Sequence, residues 1–403
     1  MRAVIVGSGL AGTMAAKTLR ELDDGVEIEI FGEEKYPYYP RPNLIEFIAG
    51  RLPLDRLFAF PPDWNSRQRI EVHSGRRIER LRPAEKIIEP ASGRAVPYDV
   101  LLLANGCRAA VPPLRGSGRK GVFVLRTLDD ALSILDYMKG HPRAAVLGGG
   151  LLGLEIARAL KTAGAEVGVV EFFDRLLPRQ LDPAGAGILK AQMEKMGIEV
   201  RVGKVTEEIL GDGEAKGLRF QGGGMMEADM VVIAAGAKPE TGPAREAGLA
   251  VNRGVLADDR LRSSAEGIFV AGDAAEHRGN VYGIIPASFE QSRTAAHNML
   301  GIDKSYSGTV PTATLKVAGL SVTSVGLVIP EEGGYEVLAR AFPEAGVYKK
   351  IVLKNGLLVG AIWMGTKKGV AEISRLVALN KNVDRWKDGL LEDAFDWSGV
   401  RQP

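Results

Sequence analysis

Two separate segments of the chain share one pattern, in which a short apolar stretch leads into a glycine-rich turn and then into a stretch with helical spacing. Residues 2–19 read RAVIVGSGLAGTMAAKTL, and residues 144–160 read AAVLGGGLLGLEIARAL. Both turns follow Gly-x-Gly-x-x-Gly. In this motif the first glycine allows a tight turn, the second allows close approach of a ligand, and the third allows the helix to pack closely on the strand. The pattern predicts a strand–turn–helix unit of a parallel α/β sheet at each segment.

An acidic residue follows each turn at a distance suited to binding a ribose. Glu33 lies 21 residues after Gly12, and Glu171 lies 18 residues after Gly153. A carboxylate at this place accepts hydrogen bonds from ribose hydroxyls and repels a 2′-phosphate, so the second turn is predicted to favour NADH over NADPH. One glycine motif alone is weak support for a nucleotide site. Two copies, each with a strand, a helix and an acid, predict two dinucleotide-binding units.

Two further segments predict how the chain divides. YDVLLLANGCRAAVPP (98–113) and ADMVVIAAGAKPETGP (228–243) resemble each other, and each closes the unit that its own glycine motif opens. We therefore predict an α/β fold with two Rossmann-like dinucleotide-binding domains, the second inserted in the first. The predicted boundaries of the two domains are 1–110 with 238–309, and 111–237.

The end of the chain has a different character. Residues 310–403 are rich in β-branched residues and glycine, and Asn355-Gly356 is a strong signal for a hairpin turn between two apolar stretches. A helix is predicted from about residue 369 to 379. These features predict a small C-terminal α+β domain.

Composition excludes several classes of protein. Of the 403 residues, 25% are charged and 45% are hydrophobic, and the net charge is +2, so no basic surface for nucleic acid is predicted. No run of 18 apolar residues occurs, and we expect no membrane span and a cytoplasmic location. Cys107 is the only cysteine, which excludes a disulfide framework, a zinc site and an iron–sulfur cluster within this chain. The four histidines have no metal-binding spacing, so no metal is predicted.

Five segments in a fixed order carry a family resemblance, namely VIVGSGLAG, LLLANG, VLGGGLLGLE, VVIAAGAKP and IFVAGDAAEH. With them the chain resembles the FAD- and NAD(P)H-dependent pyridine nucleotide–disulfide oxidoreductases along essentially its whole length. EEKYPYYPRPNLIEFIAG (33–50), GDAAEHRGNVYGIIPASFEQ (272–291) and DRLLPRQLD (174–182) are similar to NADH:rubredoxin oxidoreductases and to the flavin domain of assimilatory nitrite reductases. The resemblance implies FAD in the N-terminal domain, NAD(H) in the inserted domain and an interface in the C-terminal one.

The resemblance also implies a role for individual residues of the FAD domain. The FAD pyrophosphate would be held by Gly7, Gly9, Leu10, Ala11 and Gly12. Glu33 would bind the adenosine ribose, and the backbone of Ile78 would meet the adenine. Arg41, between two prolines, would lie near the flavin or its phosphates, and Asp273 would bind the ribityl chain. The alternative for Arg41 is an arginine that lies in a loop and is exposed to solvent.

The inserted domain has a corresponding set. The NADH pyrophosphate would be held by Gly148, Gly150, Leu151, Leu152 and Gly153. Glu171 would bind the ribose, Gly236 would line the nicotinamide pocket, and Glu155 would reach the nicotinamide carboxamide as the residue closest to the chemistry. The alternative for Glu155 is a helix carboxylate that is stabilised by the dipole of its own helix.

Several residues have a structural interpretation beside a functional one. Two positions depart from the family pattern, with Asn105 in place of a threonine and Cys107 in place of a small residue, and Cys107 is expected to be a small buried side chain. Lys349-Lys350 and Lys367-Lys368 are expected to lie in solvent, where they could steer an acidic partner protein.

The chain has no cysteine near residues 40–50 and no Cys-x-x-Cys, so an internal disulfide relay is excluded. We therefore expect an enzyme that passes electrons from NADH through FAD to a protein acceptor such as rubredoxin or an iron–sulfur or haem protein. Two alternatives stay open. One is an NADH-oxidising flavoprotein subunit of a multi-subunit dehydrogenase complex, and the other is a nucleotide-binding redox sensor without turnover.

Overall fold

The structure is a computed structural model that describes residues 1–310, 312–317, 320–330 and 333–400. The chain divides into two compact units. The first comprises Met1–Phe47, Arg51–Ala109 and Ala237–Thr309, and the second comprises Ile48–Gly50, Ala110–Gly236 and the described residues from Val310 onward. Among the described residues, no helix combines the length and the apolar character that crossing a membrane requires.

The first half of the chain contains the two glycine motifs and the elements around them. In chain order, the strands and helices of residues 1–109 are β1 (Arg2–Val6), α1 (Leu10–Leu22), β2 (Glu27–Gly32), α2 (Asn43–Ile48), α3 (Trp64–Arg67), β3 (Ile70–Ser74), β4 (Ile78–Arg82), β5 (Ile87–Pro90), β6 (Val96–Pro97), β7 (Val100–Leu103) and β8 (Cys107–Ala109). Those of residues 110–236 are β9 (Val122–Val124), α4 (Leu128–Met138), β10 (Arg143–Leu147), α5 (Leu151–Thr162), β11 (Glu166–Val170), α6 (Pro183–Lys195), β12 (Ile198–Arg201), β13 (Thr206–Leu210), β14 (Gly217–Phe220), β15 (Met225–Glu227) and β16 (Met230–Ile233).

The remaining elements complete the first unit and form the C-terminal region. Those of residues 237–309 are β17 (Ala237–Pro239), α7 (Gly242–Glu246), β18 (Val255–Ala257), β19 (Ile268–Val270), β20 (Ala275–His277) and α8 (Ile285–Met299). Those from residue 310 onward are β21 (Thr312–Val317), β22 (Leu320–Gly326), β23 (Glu336–Phe342), β24 (Val347–Lys354), β25 (Leu357–Met364) and α9 (Val370–Ala378).

The first unit is built on a five-stranded parallel sheet with the strand order β19-β7-β1-β2-β3. Ala3, Val4 and Ile5 of β1 are fully buried, as expected for a parallel strand that is covered on both faces. α1 and α8 pack together and share a core cluster with β1. β1 and β7 lie side by side, and β19 lies beside β7. The residues that follow their carboxyl ends are therefore neighbours, which places the first glycine turn close to Asp273.

The second unit repeats this plan and adds an antiparallel sheet. β12, β11, β10, β16 and β9 form a five-stranded parallel sheet in that order. The C-terminal region is a five-stranded antiparallel sheet in the order β21-β22-β25-β24-β23, with α9 packed on it. Asn355 and Gly356 join β24 to β25 with φ angles of 52° and 76°, the positive values that a type I′ hairpin turn requires. The predicted hairpin and the predicted fold class are confirmed.

Candidate functional site

The first glycine turn has three glycines with three different surroundings. Gly7 has a φ of +112°, and a Cβ there would lie 2.2 Å from the backbone oxygen of Ala104. A Cβ on Gly12 would lie 1.9 Å from the backbone oxygen of Gly7, whereas a Cβ on Gly9 would meet none of the other described residues within 4 Å. Gly7 and Gly12 are therefore required for the fold of the turn itself. Gly9 faces open space, and a side chain there would fill the cradle.

The second turn has the same geometry to within a few tenths of an ångström. Gly148 has a φ of +121°, with a potential Cβ 2.4 Å from the backbone oxygen of Ala234. A Cβ on Gly153 would lie 1.9 Å from the oxygen of Gly148, and a Cβ on Gly150 would have no neighbour within 4 Å in the part of the chain that the structure describes. We call residues 7–12 the first cradle and residues 148–153 the second cradle.

Both cradles lead into helices whose first turn has no side-chain cap. Gly9 caps α1 and Gly150 caps α5, and neither offers a side-chain acceptor to the free N–H groups of its helix. By contrast, Thr127 and Asp130 form a capping box at the start of α4. Uncapped N–H groups at a positive helix end suit an anion such as a pyrophosphate. The two cradles therefore fit the pyrophosphates of FAD and NAD(H).

Glu171 lies inside the second cradle. Glu171 is only 6% exposed. Its carboxylate accepts hydrogen bonds from the backbone N–H of Gly149 at 2.5 Å and from that of Phe173 at 2.8 Å. The acid thus fixes the glycine turn and the loop after β11 at the same time. Phe172 and Phe173, which the sequence reasoning passed over, follow as an exposed pair of aromatic rings.

Glu33 has a different position in the first cradle. Its side chain is 67% exposed, and its carboxylate faces the guanidinium of Arg77 at 3.3 Å. The backbone N–H of Gly7 donates to Phe31 and that of Gly148 donates to Val170, each at 2.8 Å. By this register, Glu171 corresponds to Gly32 and not to Glu33. The similar sequence spacing of the two acids conceals a shift of one residue.

Asp273 lies in a short 3-10 turn, Gly272–Ala274, directly after β19. A Cβ on Gly272 would lie 2.9 Å from the Cβ of Ala11, so this turn touches the first cradle. The thiol of Cys107 donates a hydrogen bond to Asp273 at 3.2 Å. The expectation that Cys107 is a buried apolar side chain is wrong, because the residue is half-buried and is bonded to a carboxylate.

Arg41 is held by two residues that the sequence reasoning did not single out. Its guanidinium donates to Glu34 at 2.6 Å and to the hydroxyl of Tyr39 at 3.4 Å. Burial lowers the pKa of Arg41, but Glu34 and Tyr39 together raise it by more, so its pKa lies above the usual value. The sequence signal that could have identified Glu34 is its place seven residues before Arg41, in a segment stiffened by prolines.

The other predicted residues lie on several elements of the two units. Leu10 and Ala11 open α1, and Leu151 and Leu152 open α5, with Leu152 exposed. Glu155 is half-buried on α5, near the second cradle. Gly236 follows β16 with a φ of +104°, and Ile78 is the buried first residue of β4.

The lysine pair 349–350 differs from its prediction. Both side chains are buried, with the Lys349 ammonium 2.6 Å from Asp393 and the Lys350 ammonium 2.8 Å from Asp182. Asp182 also accepts from the hydroxyl of Tyr348 at 2.6 Å. The expectation that this pair lies in solvent, where it could steer an acidic partner, is therefore wrong, since both side chains are buried and each ammonium is paired with an acid. Lys367 and Lys368 are exposed as predicted.

Two histidines lie in ion-pair networks of the first unit. His277 is fully buried and contacts Asp259 at 2.9 Å, and Arg278 together with His277 lowers the pKa of Asp259 to about 2. The side chains of Glu29, Glu71 and His73 bring ligand-type atoms within 4.8 Å of one another. Glu29 is also paired with Arg2 at 2.5 Å, which already supplies a positive charge to this group.

Comparison with known proteins agrees with the two-cradle architecture. Residues 1–298 match the pyridine nucleotide-disulphide oxidoreductase family, and residues 311–381 match the rubredoxin NAD+ reductase C-terminal domain. The chain is 36% identical over 365 residues to a nitrite reductase (NAD(P)H) of Bacillus subtilis (strain 168), covering 90% of this chain and 45% of that protein. It is 32% identical over 324 residues to the NADH-rubredoxin oxidoreductase of Clostridium acetobutylicum, covering 80% and 81%.

A solved ferredoxin reductase from Rhodopseudomonas palustris has the same fold, with a TM-score of 0.90, 25% identity and 100% coverage of both chains. The chain spans about half the length of several nitrite and nitrate reductase relatives that it matches.

Proposed function

The chain belongs to the pyridine nucleotide-disulphide oxidoreductases, an oxidoreductase family that uses FAD and NAD(H), and from this premise we propose that it passes electrons from NADH through FAD to a separate redox protein. The observation that carries the proposal is the presence of two complete cradles in a chain whose single cysteine, Cys107, rules out an internal disulfide acceptor. Electrons that enter the chain must therefore leave it to an outside acceptor.

The first cradle and its neighbours are proposed to hold FAD. The N–H groups at the start of α1 bind the pyrophosphate, Glu33 binds the adenosine ribose, and Asp273 binds the ribityl chain. Arg41 supplies a fixed positive charge beside them. When bound, FAD accepts a hydride from NADH and can release the electrons one at a time.

The second cradle is proposed to hold NADH. The N–H groups at the start of α5 bind the pyrophosphate, and Glu171, already fixed by two backbone N–H groups, accepts from the ribose hydroxyls. Glu155 is assigned to the nicotinamide carboxamide and Gly236 to the wall of its pocket. No side chain of this set acts as an acid or a base, because hydride transfer needs the two rings in close contact and no separate proton transfer.

The choice of a protein acceptor is supported by what the relatives are named for. They include an NADH-rubredoxin oxidoreductase and a ferredoxin reductase, and the C-terminal region matches a domain named for rubredoxin reductases. We propose a one-electron carrier of the rubredoxin, iron–sulfur or haem class as the partner of this chain.

A screen of acceptors tests the proposal. The FAD-loaded protein is reduced anaerobically with one equivalent of NADH and is then mixed with a rubredoxin, a [2Fe–2S] ferredoxin, a c-type cytochrome or dissolved oxygen. We expect at least one carrier protein to reoxidise the flavin much faster than oxygen does. Reoxidation by an artificial dye but by none of the carrier proteins would contradict the proposal.

A second candidate function is the flavin unit of a larger assembly. The nitrite reductase relative is more than twice as long as the part that this chain matches, so electrons could pass to an adjoining region or subunit. In that case the isolated chain would reduce a dye but would turn over with soluble carriers only when the missing part is added back.

A further inference from the structure

The segment after β2 contains two consecutive glutamates that have different environments. The carboxylate of Glu33 is exposed beside Arg77, whereas the side chain of Glu34 is 18% exposed and forms an ion pair with Arg41 at 2.6 Å. The two acids thus pair with different arginines although they are adjacent in sequence. Only Glu34 faces the arginine that is assigned to FAD.

Glu34, Tyr39 and Arg41 form a closed triangle of polar contacts. One carboxylate oxygen of Glu34 accepts from Arg41, and the other accepts a short hydrogen bond from the hydroxyl of Tyr39. The same hydroxyl accepts from Arg41 at 3.4 Å, and the guanidinium lies 5.7 Å from the centre of the Tyr39 ring. Because Tyr39 is itself buried, the triangle holds the guanidinium in one orientation.

A chain of contacts connects this triangle to the first cradle. Glu34 follows Gly32 by two residues, and a Cβ on Gly32 would lie 2.4 Å from the side-chain oxygen of Ser8 in the cradle and 3.8 Å from the backbone oxygen of Glu34. Asp273 lies in the turn whose Gly272 touches Ala11 of the cradle. Glu34 and its partner Arg41 therefore lie at the same cradle as Asp273, to which the ribityl chain is assigned.

We propose that Glu34, supported by Tyr39, is a positioning residue that fixes the Arg41 guanidinium beside the bound flavin and offsets its positive charge, so that the flavin keeps a low midpoint potential. The inference rests on the proposed placement of FAD. The physical reason is that reduction adds negative charge to the flavin. An arginine without its carboxylate would stabilise the reduced form more than the oxidised form.

Replacing one carboxylate oxygen of Glu34 with an amide group tests the inference. Glu34→Gln retains an oxygen that accepts from Arg41 but removes the negative charge. We expect the midpoint potential of bound FAD to rise, with about a tenfold change in the equilibrium constant of the two-electron reduction, which corresponds to ~30 mV. Tyr39→Phe loosens the triangle without a change of charge and is expected to produce a smaller shift in the same direction.

A matched control separates a local effect from a general effect of charge. Glu89 is paired with Arg82 at 2.7 Å in the same unit, and its side chain is 25% exposed, close to the value for Glu34. Glu89→Gln changes the net charge equally and is expected to leave the flavin potential unchanged. An equal shift in both variants would overturn the inference.

The double variant shows whether Glu34 acts through Arg41. In an Arg41→Gln background, Glu34→Gln is expected to have little further effect, because the charge that Glu34 offsets is gone. A shift of full size in that background, or no shift in the single variant, would overturn the inference. Wild-type protein that binds FAD and is reduced by NADH keeps the proposed function intact in either case, whereas wild-type protein that binds no FAD removes both.

Discussion

The two cradles are nearly identical in their glycines and differ at the position where the following strand meets the loop after it. In the first cradle the strand ends on Gly32, and a Cβ there would lie 2.4 Å from the side-chain oxygen of Ser8. In the second cradle the corresponding residue is Glu171, which comes directly after β11. The position of Ser8 is taken there by Gly149, whose backbone N–H donates to that acid. A small side chain in one cradle thus fills the place that a carboxylate occupies in the other.

The difference decides how firmly each acid is held. Glu171 is fixed by two backbone donors before any ligand binds, so it presents a preorganised acceptor to a ribose. Glu33, one residue further along its loop, is exposed, and within the described part of the chain its carboxylate pairs only with the guanidinium of Arg77, at 3.3 Å. We infer that the second cradle selects its nucleotide through the acid, whereas the first cradle depends on a wider set of contacts.

The largest expected effects come from the third glycine of each cradle. A Cβ on Gly12 or Gly153 would collide with the backbone oxygen of the first glycine at 1.9 Å, and no side-chain movement can relieve this. Gly12→Ala is expected to weaken FAD binding roughly 10–100-fold while NADH binding persists, and Gly153→Ala to do the reverse. Calorimetric titration with each cofactor measures both effects.

Gly118→Ala is the control for these variants, because its Cβ would meet no atom of the described residues within 4 Å. Its affinities for FAD and for NADH should stay at the wild-type values. The assignment of one cofactor to each cradle fails if either cradle variant weakens both cofactors equally.

The next effect compares the two acids directly. Glu171→Gln replaces an acceptor of two backbone hydrogen bonds with a group that can satisfy only one of them well, at a cost of roughly 1–3 kcal/mol. NADH affinity should fall about 10–100-fold, and the preference for NADH over NADPH should narrow. Glu33→Gln removes an exposed charge and should weaken FAD binding less than about fivefold. Equal losses in the two variants would remove the distinction drawn between buried and exposed acids.

A smaller effect tests the packing of Ser8 against Gly32. Gly32→Ala would force a Cβ against the Ser8 side chain and is expected to lower the free energy of unfolding by roughly 1–3 kcal/mol. Ser8→Gly in the same chain opens the space and should restore most of that loss, as a double-mutant cycle in urea would show. Additive losses would mean that the two residues do not compete for one place.

The smallest effect concerns how the free energy of unfolding depends on pH through Asp182, an acid of the second unit. Burial raises the pKa of Asp182, but hydrogen bonds from Lys350, Tyr348 and the Gly185 backbone outweigh burial, so the pKa is lowered in the folded protein. The stabilisation is therefore complete above the unfolded pKa of roughly 4 and is lost as the pH falls below it. The difference in unfolding free energy between wild type and Asp182→Asn should shrink from pH 6 to pH 3. A constant difference would show that the ionised form of Asp182 adds no stability.

Local patterns were sufficient to predict the architecture. The glycine turns, the apolar strands before them and the hairpin at Asn355-Gly356 each follow from backbone requirements of a few adjacent residues, and all are present. The function class followed from the order of the motifs, and the family match agrees with it.

Pairing between distant residues could not be predicted in the same way. The distance from glycine turn to acid combines helix, loop and strand lengths, so only the strand register shows that Glu33 and Glu171 are not equivalent. The burial of Lys349 and Lys350 depends on Asp393 and Asp182, which lie far along the chain. The hydrogen bond from Cys107 to Asp273 likewise joins residues 166 positions apart.

The central claim is that the second cradle admits electrons from NADH to a flavin held by the first. Stopped-flow mixing of the FAD-loaded protein with NADH under anaerobic conditions tests it most directly, by following the loss of flavin absorbance. We predict rapid bleaching that saturates with NADH in the wild type, and bleaching that needs far higher NADH in Gly153→Ala although its FAD content is unchanged. Flavin that stays oxidised in the wild type, or that bleaches equally well in Gly153→Ala, would contradict the account.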